Sequence, residues 1–185
     1  MNIKKIHHVA YRCNDAKETV NWYNTHLNMD FILAIAENEV PSTKAPDPYI
    51  HVFLDAGAGN ILAFFEIPTY DKPIKDPNTP DWVQHIAFEL DSMEDLIQTK
   101  ERLEKNSIEV VGPTDHNLFK SIYFFDPNGH RLELAVNVGS AKKRQESFEK
   151  LNRIKWDMLE EWSKTKRAPE HAKWLHEDEF SKERK

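Results

Sequence analysis

Three side chains in this 185-residue chain have the type and placement to hold a divalent metal. The stretch KKIHHVAYRC, residues 4–13, sets His7 and His8 side by side, VQHIAFELD carries His85, and HRLELAV carries Glu133. Neighbours on a strand point to opposite faces, so at most one of His7 and His8 can face a shared site. His85 shares its face with Ala87 and Glu89, and His8 shares its face with Ala10 and Arg12. His7 falls on the Val9 and Tyr11 side and aligns with Gln84. Two histidines at equivalent places read as a ligand pair, because neutral imidazole is a common metal ligand. Glu133 lies in an otherwise apolar strand, a costly position for a carboxylate unless it is paired or bound to metal. Two histidines and one carboxylate leave open positions on Fe(II) for O2 and substrate. A fourth ligand, Glu66, would instead suit a metal-dependent isomerase or lyase. Matching Gly59 with Gly129 sets Ala63 opposite Glu133, and the odd shift to Glu66 turns that side chain to the other face unless a bulge intervenes.

The elements that position these residues come as a weak internal repeat. IHHVAYRCND in the first copy answers VQHIAFELD in the second. Asp15 with Glu18 caps a helix through ETVNWYNTHL, and Ser92 with Asp95 caps MEDLIQTKERLEKN. Three strand-like runs follow in each copy: FILAIA, YIHVFLD and NILAFFEI, then IEVVG, SIYFFD and HRLELAV. AGAGN and PNG supply the last turns. Each copy therefore reads β-α-β-β-β, and neither is large enough for a comfortable core alone. The expected fold is α+β, with paired modules over about 4–68 and 82–137 inside a domain of residues 1–139.

From residue 140 the pattern changes. Phe148, Leu151, Ile154, Met158 and Trp162 recur at helical spacing, which predicts an amphipathic helix covering the domain or a partner subunit. Pro169 can open a second helix, PEHAKWLHEDEF. Residues 140–185 thus form a helical extension.

Composition excludes several classes. A net charge of −6 argues against a nucleic-acid role, and no apolar run is long enough to span a membrane. No phosphate-cradling glycine loop occurs. Cys13 is the single cysteine, and the N-terminus lacks a secretory h-region, so a cytoplasmic, reducing setting is expected.

The paired modules and the DPNGHRLEL ending resemble the vicinal oxygen chelate superfamily, which includes glyoxalase I, extradiol dioxygenases, fosfomycin-resistance enzymes and bleomycin-binding proteins. The resemblance covers residues 4 to about 137. It implies two βαβββ modules forming an open, incomplete mixed-sheet barrel around a divalent metal. The second module is most similar to extradiol ring-cleaving dioxygenases, through SIYFFDPNGHRLEL. That resemblance implies that Tyr123 hydrogen-bonds a substrate oxygen, that His116 in PTDHNLF supports it, and that His51 in YIHVFLD is the acid–base histidine. Typical enzymes of that kind carry four modules, whereas this chain has two, and LAVNVG follows the glutamate.

The residues agree in kind with such chemistry. A diol substrate needs a base near neutral pKa, which a histidine supplies, and a donor for its oxygen, which Tyr123 supplies. The expectation is an Fe(II) enzyme, with Mn, Ni or Zn as other occupants, ligated by His8, His85 and Glu133. Its substrates are O2 and a catechol-like aromatic diol, with His51, His116 and Tyr123 in the catalytic roles. A glyoxalase I-like lyase using Ni or Zn and a non-catalytic small-molecule-binding protein are the rival readings. Paired modules also allow a homodimer. His26, His130, His171 and His176 read as structural or exposed.

Overall fold

The computed structural model describes residues 3–70 and 78–167. Among these residues eight strands and three helices run in the order β1 (Val9–Cys13), α1 (Ala16–Leu27), β2 (Phe31–Glu37), β3 (Tyr49–Asp55), β4 (Ile61–Glu66), β5 (His85–Glu89), α2 (Met93–Lys105), β6 (Val111–Asp115), β7 (Phe119–Phe125), β8 (Arg131–Asn137) and α3 (Ala141–Thr165). Two separate four-stranded sheets result, ordered β1-β4-β3-β2 and β5-β8-β7-β6. The duplicated βαβββ pattern is therefore real, and the fold is α+β. In the first sheet β1 runs parallel to β4, while β2, β3 and β4 pair antiparallel. β3 and β7 show the same succession of buried and half-buried positions, as repeat-mates should.

Both capped helices start where the sequence places them. The Asp15 carboxylate accepts from the Glu18 amide at 2.7 Å, and the Ser92 hydroxyl accepts from the Asp95 amide at 3.1 Å. Each satisfies a donor that the first helical turn leaves without an intrahelical partner. The second strand of the second copy differs. It begins at Val111 rather than Ile108, because α2 closes through Ser107 in the left-handed region (φ 62°) and the Ile108 amide bonds back to the Leu103 carbonyl at 3.0 Å.

The described residues divide into two compact units. One holds the chain up to Ile86 together with Phe125–Leu132, and the other holds Ala87–Phe124 with the chain from Glu133 onward. These boundaries do not follow the two modules, because the β7–β8 turn belongs with the first unit. A buried polar network ties it there. Tyr23 on α1 donates to Asp126 Oδ2 at 3.0 Å, and Asp126 Oδ1 accepts from the Asn128 and His130 amides at 2.9 and 2.8 Å. The Asn128 amide group adds a bond to the Thr19 hydroxyl at 3.1 Å, and the Asn14 amide donates back to its oxygen at 2.9 Å. His130 donates from Nε2 to the Arg12 carbonyl at 2.8 Å, so it is structural as expected. Around this network Cys13, Val52, Leu54, Leu62 and Phe64 fill the core of the first unit, with Tyr23 and Phe64 ring centroids 5.0 Å apart.

In the second unit α2 buries Leu96, Thr99 and Leu103, while Ile122, Phe124, Leu134 and Val136 are buried on the strands. The helix α3 forms where its periodicity predicts, but it has no fully buried residue. Leu151, Ile154 and Met158 of its expected stripe are half-buried, whereas Phe148 and Trp162 are exposed. The predicted helix after Pro169 lies outside the described residues. Among the described residues no helix is long and apolar enough to cross a membrane.

Two outcomes test this core. Tyr23→Phe leaves the buried Asp126 carboxylate one donor short and should cost about 1–3 kcal/mol in denaturant unfolding; an unchanged midpoint would contradict the network. Burial, with Glu66, Asp15 and Asp126 nearby, pushes the Cys13 thiol up to about 11 against the opposing bond from Thr19. Cys13 should therefore resist a disulfide reagent in native protein at pH 8, gaining reactivity only as pH rises toward that value or on unfolding. Fast stoichiometric labelling at pH 8 would contradict its burial.

Candidate functional site

Sheet register fixes which side chains share a face. Residues directly opposite on paired strands lie on the same side. In the first sheet one row across is Ala10, Ala63, Phe53 and Leu33, and the next is Arg12, Phe65, His51 and Ile35. This face lies opposite the one that Phe64 presents to α1. Cys13, Glu66 and Ile50 form a row on the α1 side. There Glu66 Oε2 accepts from the Ala16 amide at 2.7 Å, at the N-terminus of α1, where a carboxylate is favourable. Glu66 is thus turned away from the His51 face.

His8 joins the His51 face. Its ring lies 5.9 Å from both His51 and Phe53, centroid to centroid. His51 is stacked on Phe65 at 3.6 Å and tilted against Phe53 at 4.1 Å. Its Nε2 is buried without a hydrogen-bond partner. Burial, reinforced by His8, lowers the His51 pKa, which keeps the ring neutral at pH 7 and able to take a proton. The alternation that would separate His7 from His8 does not reach them, since β1 begins only at Val9. Their Nδ1 atoms meet at 2.8 Å. One nitrogen must donate and the other accept, so the tautomers of the two rings depend on each other.

His85 is exposed at the start of β5, where its Nδ1 donates to the Val83 carbonyl at 3.0 Å. That is the preparation expected of a metal-ligating histidine.

In the second unit the structure brings together His116, Tyr123 and Glu133. Glu133 is 4% exposed, between Leu132 and Leu134. Its Oε1 accepts from the Ser121 hydroxyl, and from the Tyr123 hydroxyl at 3.2 Å. His116 Nε2 meets the same phenol oxygen at 2.9 Å. The phenol has one proton; when Glu133 takes it, the imidazole must donate from Nε2. His116 itself sits in a tight turn, where the Asn117 amide bonds to the Asp115 carboxylate at 2.9 Å and Asn117 adopts φ 65°. Turn chemistry and the ring's contact with Tyr123 therefore coexist at His116. Chemically this is a phenol poised between a proton source and a carboxylate.

Ser121 was not singled out by the sequence reading, though its signal was present. With Gly59 and Gly129 matched, Ser121 stands where the first copy has His51, and Tyr123 where it has Phe53. Among the described residues, neither unit by itself gathers three His, Cys, Asp or Glu side chains as a metal-binding group. The residues nonetheless suit a divalent ion: imidazoles and a buried carboxylate are a hard-to-borderline donor set.

Duplicated βαβββ sheets with histidines leading the first strand of each copy, and a buried glutamate on the last, define a class of small-molecule-binding and metal-using domains. The chain belongs to the Glyoxalase/Bleomycin resistance protein/Dioxygenase superfamily, whose family model matches residues 5–134. It is 26% identical over 150 residues to the metallothiol transferase FosB of Staphylococcus epidermidis, spanning 80% of this chain and 91% of that protein. It is 38% identical to the metapyrocatechase of Pseudomonas sp. (strain CF600), but over only 53 residues, 27% of this chain and 17% of that one. The glyoxylase/bleomycin resistance protein/dioxygenase domain from Frankia sp. EAN1pec shares the fold, with TM-score 0.58 at 19% identity over 74% of this chain and 100% of its own.

The order of dependence in the second unit is measurable in metal-free protein. Tyr123→Phe strips a donor from the buried carboxylate and should cost about 1–3 kcal/mol. His116→Phe, one step further out and half-buried, should cost less. A larger loss at His116 would contradict the assignment of Glu133 as the group the network serves.

Proposed function

We propose that the protein is a divalent-metal enzyme that opens a catechol-like aromatic diol with O2, with Fe(II) held by His8, His85 and Glu133. The observation that carries this reading is Tyr123, a phenol held between the His116 imidazole and the buried Glu133 carboxylate. Iron bound to such ligands would supply Lewis acidity and electrons for O2 chemistry. The chain's own groups supply the rest. His51, neutral and with Nε2 unpartnered, takes the diol proton. Tyr123 donates to a substrate oxygen, and His116 restores its proton. Phe53 and Phe65 on either side of His51 exclude water from its ring. The Val83 carbonyl holds the His85 ring through its Nδ1. The single buried thiol fits a reducing compartment such as the cytoplasm.

A second reading, metal-assisted transfer of a thiol, is favoured by one observation: the likeness to FosB runs along nearly its whole length, whereas that to the dioxygenase is local. Anaerobically purified protein separates the two. Iron-loaded protein given catechol and O2 should form a yellow ring-opened product. Metal-dependent consumption of thiol, and no yellow product, would replace this reading with the transferase. Absence of bound metal with unimpaired small-molecule binding would favour the non-catalytic alternative.

Metal content also tests the ligands. His8→Ala, His85→Ala and Glu133→Gln should each lose most of the bound metal. His7→Gln should keep it, because His7 is not among the proposed ligands. Metal loss in His7→Gln with retention in His8→Ala would overturn the assignment.

A further inference from the structure

The face that carries His51 continues into a cavity that none of the proposed catalytic residues lines. It has a volume of about 630 Å³, enough for a small organic ligand, and belongs entirely to the first unit. Its walls are the rings of Tyr49, Phe65 and Tyr70, closed by Pro41 on the β2–β3 connection. Two charged side chains reach it, Arg12 and Asp47. The Asp47 carboxylate is engaged by the Tyr70 hydroxyl at 3.2 Å and the Thr69 hydroxyl at 3.5 Å, which holds the Tyr70 ring in place. The Arg12 guanidinium lies 5.8 Å over that ring. Tyr49 and Phe65 form an edge-to-face pair with centroids 5.5 Å apart at 60°, which makes this wall of the cavity aromatic.

We infer that this cavity binds a planar aromatic ring bearing a carboxylate, with the ring between Tyr49, Phe65 and Tyr70 and the carboxylate on Arg12. Three aromatic walls select a flat apolar body. A guanidinium presents five N–H donors in a planar fork, so it can take a carboxylate in addition to the contacts it already makes. The Tyr70 ring, 5.8 Å from the guanidinium, adds a cation–π contact to Arg12. Register then orients such a ligand: Arg12, Phe65 and His51 share one row, so a ring anchored at Arg12 runs along the wall that His51 stacks on.

The test is calorimetric titration of full-length, metal-free protein, so that ligand recognition is read without turnover. Benzoate should bind saturably at one site. Benzamide, equal in shape but neutral, and cyclohexanecarboxylate, charged but not flat, should each bind about tenfold or more weakly. Arg12→Gln should weaken benzoate by about tenfold or more and leave benzamide unchanged, with Arg12→Lys intermediate because it keeps charge but loses the fork. Circular dichroism checks folding, and the benzoate–benzamide comparison in the unsubstituted protein stands if a variant does not fold. No saturable benzoate binding, equal affinity for benzamide, or an Arg12→Gln protein that binds benzoate normally would each overturn the inference. Benzoate binding without ring-opening activity would leave it standing while removing the dioxygenase reading.

Discussion

A carboxylate buried in the middle of an apolar strand is the constraint on which the second unit turns. Burying Glu133 without partners would cost several kcal/mol, of the order that a whole domain has to spare. The unit offsets this with hydroxyls rather than cations: Ser121 and Tyr123 on the neighbouring strand both donate to one oxygen. Hydroxyl donors hold the carboxylate in place without cancelling its charge. An arginine or lysine there would make an ion pair with less to offer a metal. His116 sits outside this pair and acts only through Tyr123.

The first unit uses the same backbone places for different chemistry. Where the second copy has Ser121, Tyr123, Glu133 and Ala135, the first has His51, Phe53, Ala63 and Phe65. One face is therefore acidic and rich in hydroxyls, and the other carries an imidazole between phenyl rings. Duplication supplied two equivalent sheets, and substitution on one side of each divided the labour between them. The opposite sides stayed alike in kind, each meeting a helix capped by Asp15 or Ser92. Glu66 shows how strict that division is. A single odd step along β4 takes it out of the His51 row and onto the N-terminus of α1.

Much of this was legible before any coordinates. Period-two alternation and the matched glycines set Glu133 opposite Ala63 and turned Glu66 to the other face, because a strand has only two faces and a one-residue slip exchanges them. Cap residues announced α1 and α2. What the sequence could not reveal was long-range or off-pattern. The Tyr23–Asp126 bond joins residues far apart in the chain and draws the β7–β8 turn into the first unit. His7 and His8 touch because the strand starts one residue after them, where parity does not apply. Phe148 and Trp162 fit the helical period of α3 yet remain exposed, since period alone does not say how wide a covered face is. Arg12 was read only as His8's companion, although its contact with Tyr70 bounds a cavity assembled from four separate segments.

The central claim is that two imidazoles and one buried carboxylate hold a divalent ion. X-ray absorption of the anaerobically iron-loaded protein tests it most directly. Imidazole rings give characteristic multiple-scattering features beyond the first shell of nitrogen and oxygen. The account predicts the signature of two imidazoles, reduced to one in His85→Ala, with no sulfur scatterer because Cys13 is buried on the α1 side. A sulfur ligand, or an imidazole count unchanged by His85→Ala, would contradict it.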